Sequence, residues 1–441
     1  MFTTLKNAWR IPELKKKLLF TLFIIVLYRL GANILVPYVD PDVLSQTSEI
    51  FSGNILQFLN MLSGGALAQA TLLALGVSPY ITSSIVMQLL TIAIPALERL
   101  SKEGEEGKKK INAITRFVTV GLALVTSIGY AMFLDQNGLL VVQDAKFFHY
   151  MVIVTCYCAG AALVMWLAEK INESGIGNGI SMILFANIIA GTWSTVLSLW
   201  QLIFPGNGIN WWGIPLAIFE IAVLIAIIMF IVWMTNAERR IPIQYAKRVV
   251  GRKMFGGQTT HLPIKVNMSG VMPIIFSNSI VAIPATIAML ADSDSSTWLG
   301  RFINNHFNTT SWAYLVVFLV LLIAFAFFYI AISFNPVEVA NNIKNNGGAI
   351  PGIRSGRPTV EFIKKVLNRI TFLGALLIAV VAGLPMIINN ISVMIDPTST
   401  AFAALAFGGS SMMIVVGVAL ETVRELEAQM SLRNYKGFLD N

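Results

Sequence analysis

Gly76-Val77-Ser78-Pro79-Tyr80-Ile81 and Gly270-Val271-Met272-Pro273-Ile274-Ile275 are one phrase written twice, G-V-x-P-x-I, and each copy stands at the mouth of an apolar stretch. Glycine and proline interrupting corresponding hydrophobic segments of two halves point to the working site of an inverted-repeat membrane protein. In a chain this apolar the match gains meaning only if the spans on either side agree in number. They do. The 441 residues are 56% hydrophobic and 12% charged, where a soluble domain carries about a quarter charged residues. Apolar runs long enough to cross a bilayer fall at about 18–36, 77–97, 114–134, 150–168, 179–200, 212–235, 270–290, 313–334, 370–391 and 402–423. Ten spans leave both termini on one side.

Charge selects that side. Of the 31 Lys and Arg residues, only Lys146 and Arg301 fall in the opposite loops, and Arg29 lies inside a span. The excess of basic residues on the terminal face makes that face cytoplasmic. Lys15-Lys16-Lys17 before an apolar run imitates a secretory signal, but the run is long and no small-residue cleavage site follows it. Cys156 and Cys158, two apart on a helix, point to different faces and share neither a metal nor a disulfide.

Five spans on each side of Phe204-Pro205-Gly206-Asn207-Gly208 mean that the second half enters the membrane from the opposite face. The two copies of the phrase then fall on counterpart spans 2 and 7, related by an axis in the membrane plane. The expected architecture is an all-α integral membrane protein of two inverted five-helix halves, residues 1–205 and 206–441. One segment does not fit a plain loop. Asn54 to Leu75 is apolar enough to enter the bilayer, yet Asn60, Ser63-Gly64-Gly65 and Gln69 interrupt it, and Gly65, Ala66, Ala68 and Ala70 keep it slim. Non-spanning backbone at membrane depth must be buried in protein or line a watery cavity. The segment is read as a short re-entrant helix entered through the Ser63-Gly64-Gly65 turn; the alternative is an external amphipathic helix.

Convergent catalytic groups are not found. His149, His261 and His306 are read as loop residues, so no histidine stands ready to activate Ser410 or Ser411, and Gly408-Gly409-Ser410-Ser411 reads as helix packing through small residues. No phosphate-cradling G-x-x-x-x-G-K-[ST] occurs, and neither cofactor nor metal is expected. An ion-coupled secondary transporter of inverted-repeat architecture is the alternative function. Such carriers place ionisable groups near the midplane, whereas here only Arg29 and Glu220 lie within spans. Val77 and Ile81 share one face of span 2. The repeat matches Ile81 to Ile275, and span 5 opens with Gly175-Ile176-Gly177-Asn178-Gly179, followed by Ile180 and Leu184. Aliphatic side chains meeting at the centre of a bundle close a constriction by excluding water; ordinary helix packing is the competing account.

Several stretches together carry a resemblance: Asn60-Met61-Leu62-Ser63-Gly64-Gly65-Ala66-Leu67, Pro79-Tyr80-Ile81-Thr82-Ser83-Ser84, Lys102-Glu103-Gly104-Glu105, Gly175 to Ser181, Tyr245-Ala246-Lys247-Arg248, His261 to Asn267, Asn335-Pro336 and Pro351-Gly352-Ile353-Arg354. On these the chain resembles the bacterial SecY family, channel subunits of the Sec protein translocase, along nearly its whole length. The resemblance implies a protein-conducting channel whose waist ring is Val77, Ile81, Ile180, Leu184, Ile275 and Ile414. Val77 and Leu184 stand where isoleucine is common in the family. It implies that the re-entrant segment is a plug carrying Asn60, Ser63, Gly64, Gly65, Ala66 and Leu67. Spans 2 and 7, polar at Thr82, Ser83, Ser84 and Gln88 and at Ser277, Asn278 and Ser279, would line a lateral gate to lipid, with Thr82, Gln88 and Asn278 as its seam. Polar contacts between membrane helices average only about 0.6 kcal/mol, so such a seam can part cheaply.

Two basic loops, 236–268 and 335–369, exceed what span connection needs. Lys247, Arg248, Arg252, Lys253, Arg354 and Arg357 are the candidate contacts, with Arg354 presented by the Pro351-Gly352 turn. The resemblance implies that these loops engage the motor ATPase SecA and the ribosome, whose RNA phosphates and acidic surfaces suit basic tips. The remaining implied partners are SecE, SecG, the translocating polypeptide with its signal sequence, and membrane lipid; DNA is not among them. The expected location is the bacterial plasma membrane, multi-pass, with both termini cytoplasmic.

Overall fold

The computed structural model describes residues 2–40, 55–141, 146–204, 211, 213–245, 248–250, 253–255, 259–284, 311–395 and 408–439. Its helices are α1 (Phe2–Arg10), α2 (Pro12–Gly31), α3 (Ile55–Ser63), α4 (Ser78–Ala93), α5 (Pro95–Lys102), α6 (Glu105–Gln136), α7 (Lys146–Ser174), α8 (Gly179–Ile203), α9 (Gly213–Asn236), α10 (Met272–Val281), α11 (Trp312–Ser333), α12 (Pro336–Asn345), α13 (Arg357–Ile395) and α14 (Gly408–Leu439). Each of the ten sequence-predicted spans coincides with one of them: α2, α4, α6, α7, α8, α9, α10, α11, α13 and α14. The parts of spans 7 and 10 at 285–290 and 402–407 lie outside the described residues, as do His306, Arg301 and nearly all of the expected boundary between the halves.

These helices are solvated by something apolar. α9 is hydrophobic all round, yet Met229 is 67% and Trp233 63% exposed on it, and Phe117 on α6 is 80% exposed. Among the described residues, five helices are long and apolar enough to cross a membrane, or six if α4 and α5 form one bent span. The largest buried cluster runs through the centre, drawing Ile81 and Ile85 from α4, Ile183 and Leu184 from α8, Ile274 and Ile275 from α10, and Met413 and Ile414 from α14.

Glycine decides how closely these helices approach. A Cβ on Gly179 would run into the Ala168 carbonyl of α7, and one on Gly175 would strike Thr21 of α2. Asn178 then caps α8, its side-chain oxygen accepting from Ile180 N at 3.0 Å and Ser181 N at 3.4 Å. The Gly175–Gly179 stretch is thus both a close-packing device and a helix start. Gly409 likewise sits against the Val381 carbonyl of α13, which fits the packing reading of Gly408–Ser411.

The structure departs from the sequence reading in several places. Span 2 does not run straight to 97: α4 and α5 bend by 100° at Ile94, whose extended backbone (φ −107, ψ 114) follows from preceding Pro95. Span 1 ends at Gly31, not at 36. Beyond it Leu35 bridges Thr71, and Leu72 N donates to the Ile34 carbonyl at 2.7 Å. The re-entrant helix precedes the glycine turn instead of following it: α3 ends at Ser63, and residues 64–77 run as successive turns and one bridge. Gly64 (φ 69) and Gly65 (φ 88) terminate α3, Gly64 N donating to Met61 O at 3.0 Å and Gly65 N to Asn60 O at 2.9 Å. That paired bonding needs the left-handed backbone glycine permits.

The all-α expectation describes the bundle but not the basic loops. Strands β1 (Glu238–Tyr245), β4 (Thr259–Lys265) and β5 (Gly348–Ala349) form one antiparallel sheet of order β4-β1-β5, with β2 (Arg248–Val250) and β3 (Lys253–Phe255) as a separate hairpin. Ile241 and Ile243 alternate inward and pack with Ile264, Ile343, Ile363 and Leu367. The two loops therefore fold as one body with α12 and the start of α13. His149 lies in α7 and His261 on β4, not in loops.

Candidate functional site

The two copies of the phrase are built alike. Gly76 (φ 53) and Gly270 (φ 64) both take the left-handed backbone. Val77 and Val271 cap the helices that follow, with prolines Pro79 and Pro273 in the first turn. Ile81 N donates to Val77 O at 3.0 Å, and Ile275 N to Val271 O at 3.3 Å. The two helices touch each other. Val77, Ile81, Leu184, Ile275 and Ile414 are all buried in the central cluster, and Ile180 packs against it partly buried. The six candidate waist residues, from both parts of the chain, therefore share one apolar interior. Val271, the counterpart of Val77, belongs there too and contacts α14, since a Cβ on Gly417 would meet its methyl at 2.8 Å.

The re-entrant segment abuts this interior. Leu62 of α3 is in the central cluster, and the Met61 sulfur accepts from Ser411 of α14 at 3.3 Å. The candidate plug residues have distinct local tasks. The Asn60 side-chain oxygen accepts from Ala68 N at 2.8 Å, and the Ser63 hydroxyl accepts from Leu67 N at 3.0 Å while donating to the Asn60 carbonyl at 2.8 Å. These bonds close the turn that Gly64 and Gly65 open. Ala66 and Leu67 are buried.

Side chains from the bundle hold the segment in two places. At its helix, the Arg29 guanidinium donates to the Gly64 carbonyl at 3.3 Å and to the Ala186 and Asn187 carbonyls at 2.9 and 3.2 Å. The Asn187 amide donates to Leu62 O at 2.6 Å and to the Tyr28 hydroxyl at 2.9 Å. Beyond the turn, Tyr130 of α6 donates to Leu67 O, Tyr157 of α7 donates to Ala70 O at 3.3 Å, and Gly160 lies flush against the Leu72 carbonyl. Sequence reasoning singled out Arg29 without a partner and missed Tyr28, Asn187, Tyr130 and Tyr157. An asparagine inside apolar span 5 was the available signal, because a polar side chain there must find a partner.

The candidate seam differs from expectation. Thr82 donates to Ser78 O at 3.0 Å, Ser83 to Pro79 O at 2.8 Å, Ser277 to Pro273 O at 2.7 Å and Ser279 to Ile275 O at 2.8 Å. Every one of these bonds stays within its own helix, where a hydroxyl reaches the carbonyl four residues back. Gln88 is exposed and, among the described residues, donates only to Ser84 at 3.4 Å. Asn278 is 2% exposed and neither amide atom has a partner among the described residues.

Of the basic candidates, Lys247 and Arg252 lie outside the described residues, and Arg248 and Lys253 pair with neighbours across the β2–β3 hairpin. Arg354 follows the turn at Gly352 (φ 79) and is exposed, its carbonyl accepting from the Thr359 hydroxyl at 2.9 Å. Arg357 instead bonds Glu361 at 3.2 Å. A cleft of about 590 Å³ opens between the sheet and the bundle, lined by Lys265, Asn267, Gly270, Val271, Glu421 and Arg424 among others. Burial and the neighbouring Arg424 push the Lys265 ammonium below its usual range. No cluster of His, Cys, Asp and Glu able to hold a metal occurs among the described residues.

The SecY family model matches residues 71–423. The chain is 42% identical over 456 residues to the Protein translocase subunit SecY of Streptomyces coelicolor, covering 100% of both chains. It is 40% identical over 454 residues to that of Mycobacterium bovis, again covering 100% of both. The fold matches a solved protein conducting channel at 18% identity and a TM-score of 0.63, over 94% of this chain and 92% of that one. It also matches the yeast Ssh1 complex bound to the 80S ribosome at 16% identity and a TM-score of 0.61, over 96% and 89%. The chain belongs to the SecY family.

Proposed function

We propose that this SecY-family chain is a protein-conducting channel, exporting unfolded secretory proteins and releasing membrane proteins sideways into lipid. The observation that carries the reading is the gathering of Val77, Ile81, Ile180, Leu184, Ile275 and Ile414 in one apolar interior beside a re-entrant segment. Aliphatic side chains yield around an extended chain of any sequence because they require no particular hydrogen bond, and the same surface discourages a water column. In this reading the halves 1–205 and 206–441 meet at the waist. The segment carrying Asn60, Ser63, Gly64, Gly65, Ala66 and Leu67 seals it, and α4 and α10 form the lateral gate at Thr82, Gln88 and Asn278.

The chain makes and breaks no covalent bond itself; a partner supplies the work. Arg354 at its turn, with Arg357 and the β2–β3 region of Lys247, Arg248, Arg252 and Lys253, suits an acidic motor surface or ribosomal RNA. SecA and the ribosome are the assigned partners there, and SecE and SecG the assigned membrane subunits. The basic face then lies in the cytoplasm of a bacterial cell with both termini. Vesicles holding the purified complex should protect a preprotein from external protease when SecA and ATP are added. Arg354→Glu should abolish most of that protection while the complex still assembles. Digestion of the preprotein regardless of ATP would overturn the function. Full protection by the Arg354 variant would overturn only the docking assignment.

A further inference from the structure

The re-entrant segment is held by two kinds of contact, and they divide it. Residues beyond the turn are tied down by the Tyr130 and Tyr157 hydroxyls, by the flush contact of Gly160 with Leu72 O, and by the backbone bond from Leu72 to Ile34. All of these come from α6, α7 and the stretch just after α2. Helix α3 is tied to the bundle instead by Arg29, which reaches its end at the Gly64 carbonyl, by Asn187, which reaches Leu62, and by Ser411, which donates to the Met61 sulfur. Its Asn60 and Ser63 also bond across the turn to Ala68 and Leu67 and must let go if it swings. Between the two parts lie consecutive glycines with positive φ, Gly64 at 69 and Gly65 at 88, and a Cβ on Gly65 would meet none of the described residues within 4 Å. That is the backbone of a hinge.

We propose that Tyr28, Arg29 and Asn187 form a latch that keeps α3 closed, and that opening swings α3 about Gly64-Gly65 while residues 66–75 stay with the first half. This rests on reading the segment as the channel's seal. Three features support the latch. The Arg29 guanidinium sits within the apolar bundle, where ionisable groups are costly and kept for a task, and it bridges the segment to α8 through backbone carbonyls alone. A Cβ at residue 64 would lie 2.7 Å from both guanidinium nitrogens and so would push the guanidinium from its present place. And Asn187 stands three residues from Leu184 on α8, hence on nearly the same face. A chain that pushes Leu184 aside at the waist therefore displaces Asn187 and the carbonyls that Arg29 holds. Arg29 is a positioning residue in this scheme: it sets when the seal leaves.

Single-channel currents of the purified complex in planar bilayers test the latch. Arg29→Met keeps the bulk and removes the donors, and Gly64→Ala displaces the guanidinium from the other side. Each should raise the resting open probability on the order of tenfold, equivalent to about 1.4 kcal/mol. Arg29→Lys should recover part of the closure, and Tyr130→Phe, which touches only the anchored part, should leave the current unchanged. Where Arg29→Met fails to assemble, Gly64→Ala decides alone. Deleting α3 separates the two levels of the argument. Unchanged current in Arg29→Met and Gly64→Ala beside a raised current in the deletion overturns the latch and spares the seal. Unchanged current in all of them overturns both. A rise in Tyr130→Phe as large as in Arg29→Met overturns the hinge.

Discussion

The helix starts at Gly76–Ile81 and Gly270–Ile275 repeat one another down to the backbone, yet their surroundings differ. Both have a left-handed glycine, a capping valine, a proline in the first turn and a serine bonded back to that proline. A Cβ on Gly76, however, would stand 3.6 Å from Ser63 of the re-entrant segment, while one on Gly270 would meet none of the described residues within 4 Å. Down the helix, the hydroxyl of Ser84 serves Gln88, whereas its counterpart Asn278 is an orphaned amide. Local sequence repeats local geometry. What the geometry is used for depends on which neighbour arrives, and only the first copy backs the re-entrant segment.

The largest effect is expected from joining the two helices. With Cys156 and Cys158, both free, first replaced by serine, a disulfide between cysteines introduced on facing positions of α4 and α10 should stop membrane-protein insertion in reconstituted vesicles. Reducing the bond should restore it; insertion at the normal rate would show that the two starts do not part. Next in size is the double change Ile81→Ser and Ile275→Ser, which removes the matched aliphatics. Each truncation costs about 2–5 kcal/mol of packing, so resting ion current should rise by at least about tenfold, and an unchanged current would separate these positions from the waist.

Asn278→Leu sharpens the difference between the copies. Removing a buried unpartnered amide relieves about 1–3 kcal/mol, so the closed seam should tighten and insertion of a marginally hydrophobic segment should fall several-fold. Ser84→Ala, at the equivalent place, should change little. The smallest effect is expected from Gly76→Ala and Gly270→Ala. Each places a side chain at positive φ at a cost of about 1–2 kcal/mol, and the two should lower the unfolding midpoint in detergent alike. A clearly larger drop for Gly76 would mean that its contact with Ser63 matters more than its backbone.

Much of this was legible in the sequence because it is written locally. Apolar run lengths gave the spans, the G-V-x-P-x-I phrase gave the two helix starts, and Gly175–Gly179 announced a tight contact that Thr21 and Ala168 supply. The bend at Ile94-Pro95 was equally local and is a plain consequence of proline. The side of the glycine turn on which the helix lies was harder, since Asn60 and Ser63 bond forward to Ala68 and Leu67 and are as compatible with a helix start as with a helix end. The sheet had its signal in the alternation of Arg240-Ile241-Pro242-Ile243-Gln244-Tyr245, but its third strand, β5, comes from a loop about a hundred positions later. Tyr28, Tyr130 and Tyr157 were illegible for the same reason, and Asn187 signalled that it needed a partner without saying which. Each finds its acceptor or donor in a segment remote along the chain, and no local pattern encodes such a meeting.

The hydroxyls of Thr82, Ser83, Ser277 and Ser279, each already spoken for by its own helix, carry a consequence for any passenger leaving between α4 and α10. Separating those helices would break none of these four bonds, so these hydroxyls impose no recognition code of their own. A nascent segment would be sorted there by its oil–water partition coefficient, much as a solute is shared between two immiscible liquids, and greasy sequences with nothing else in common would leave by the same route.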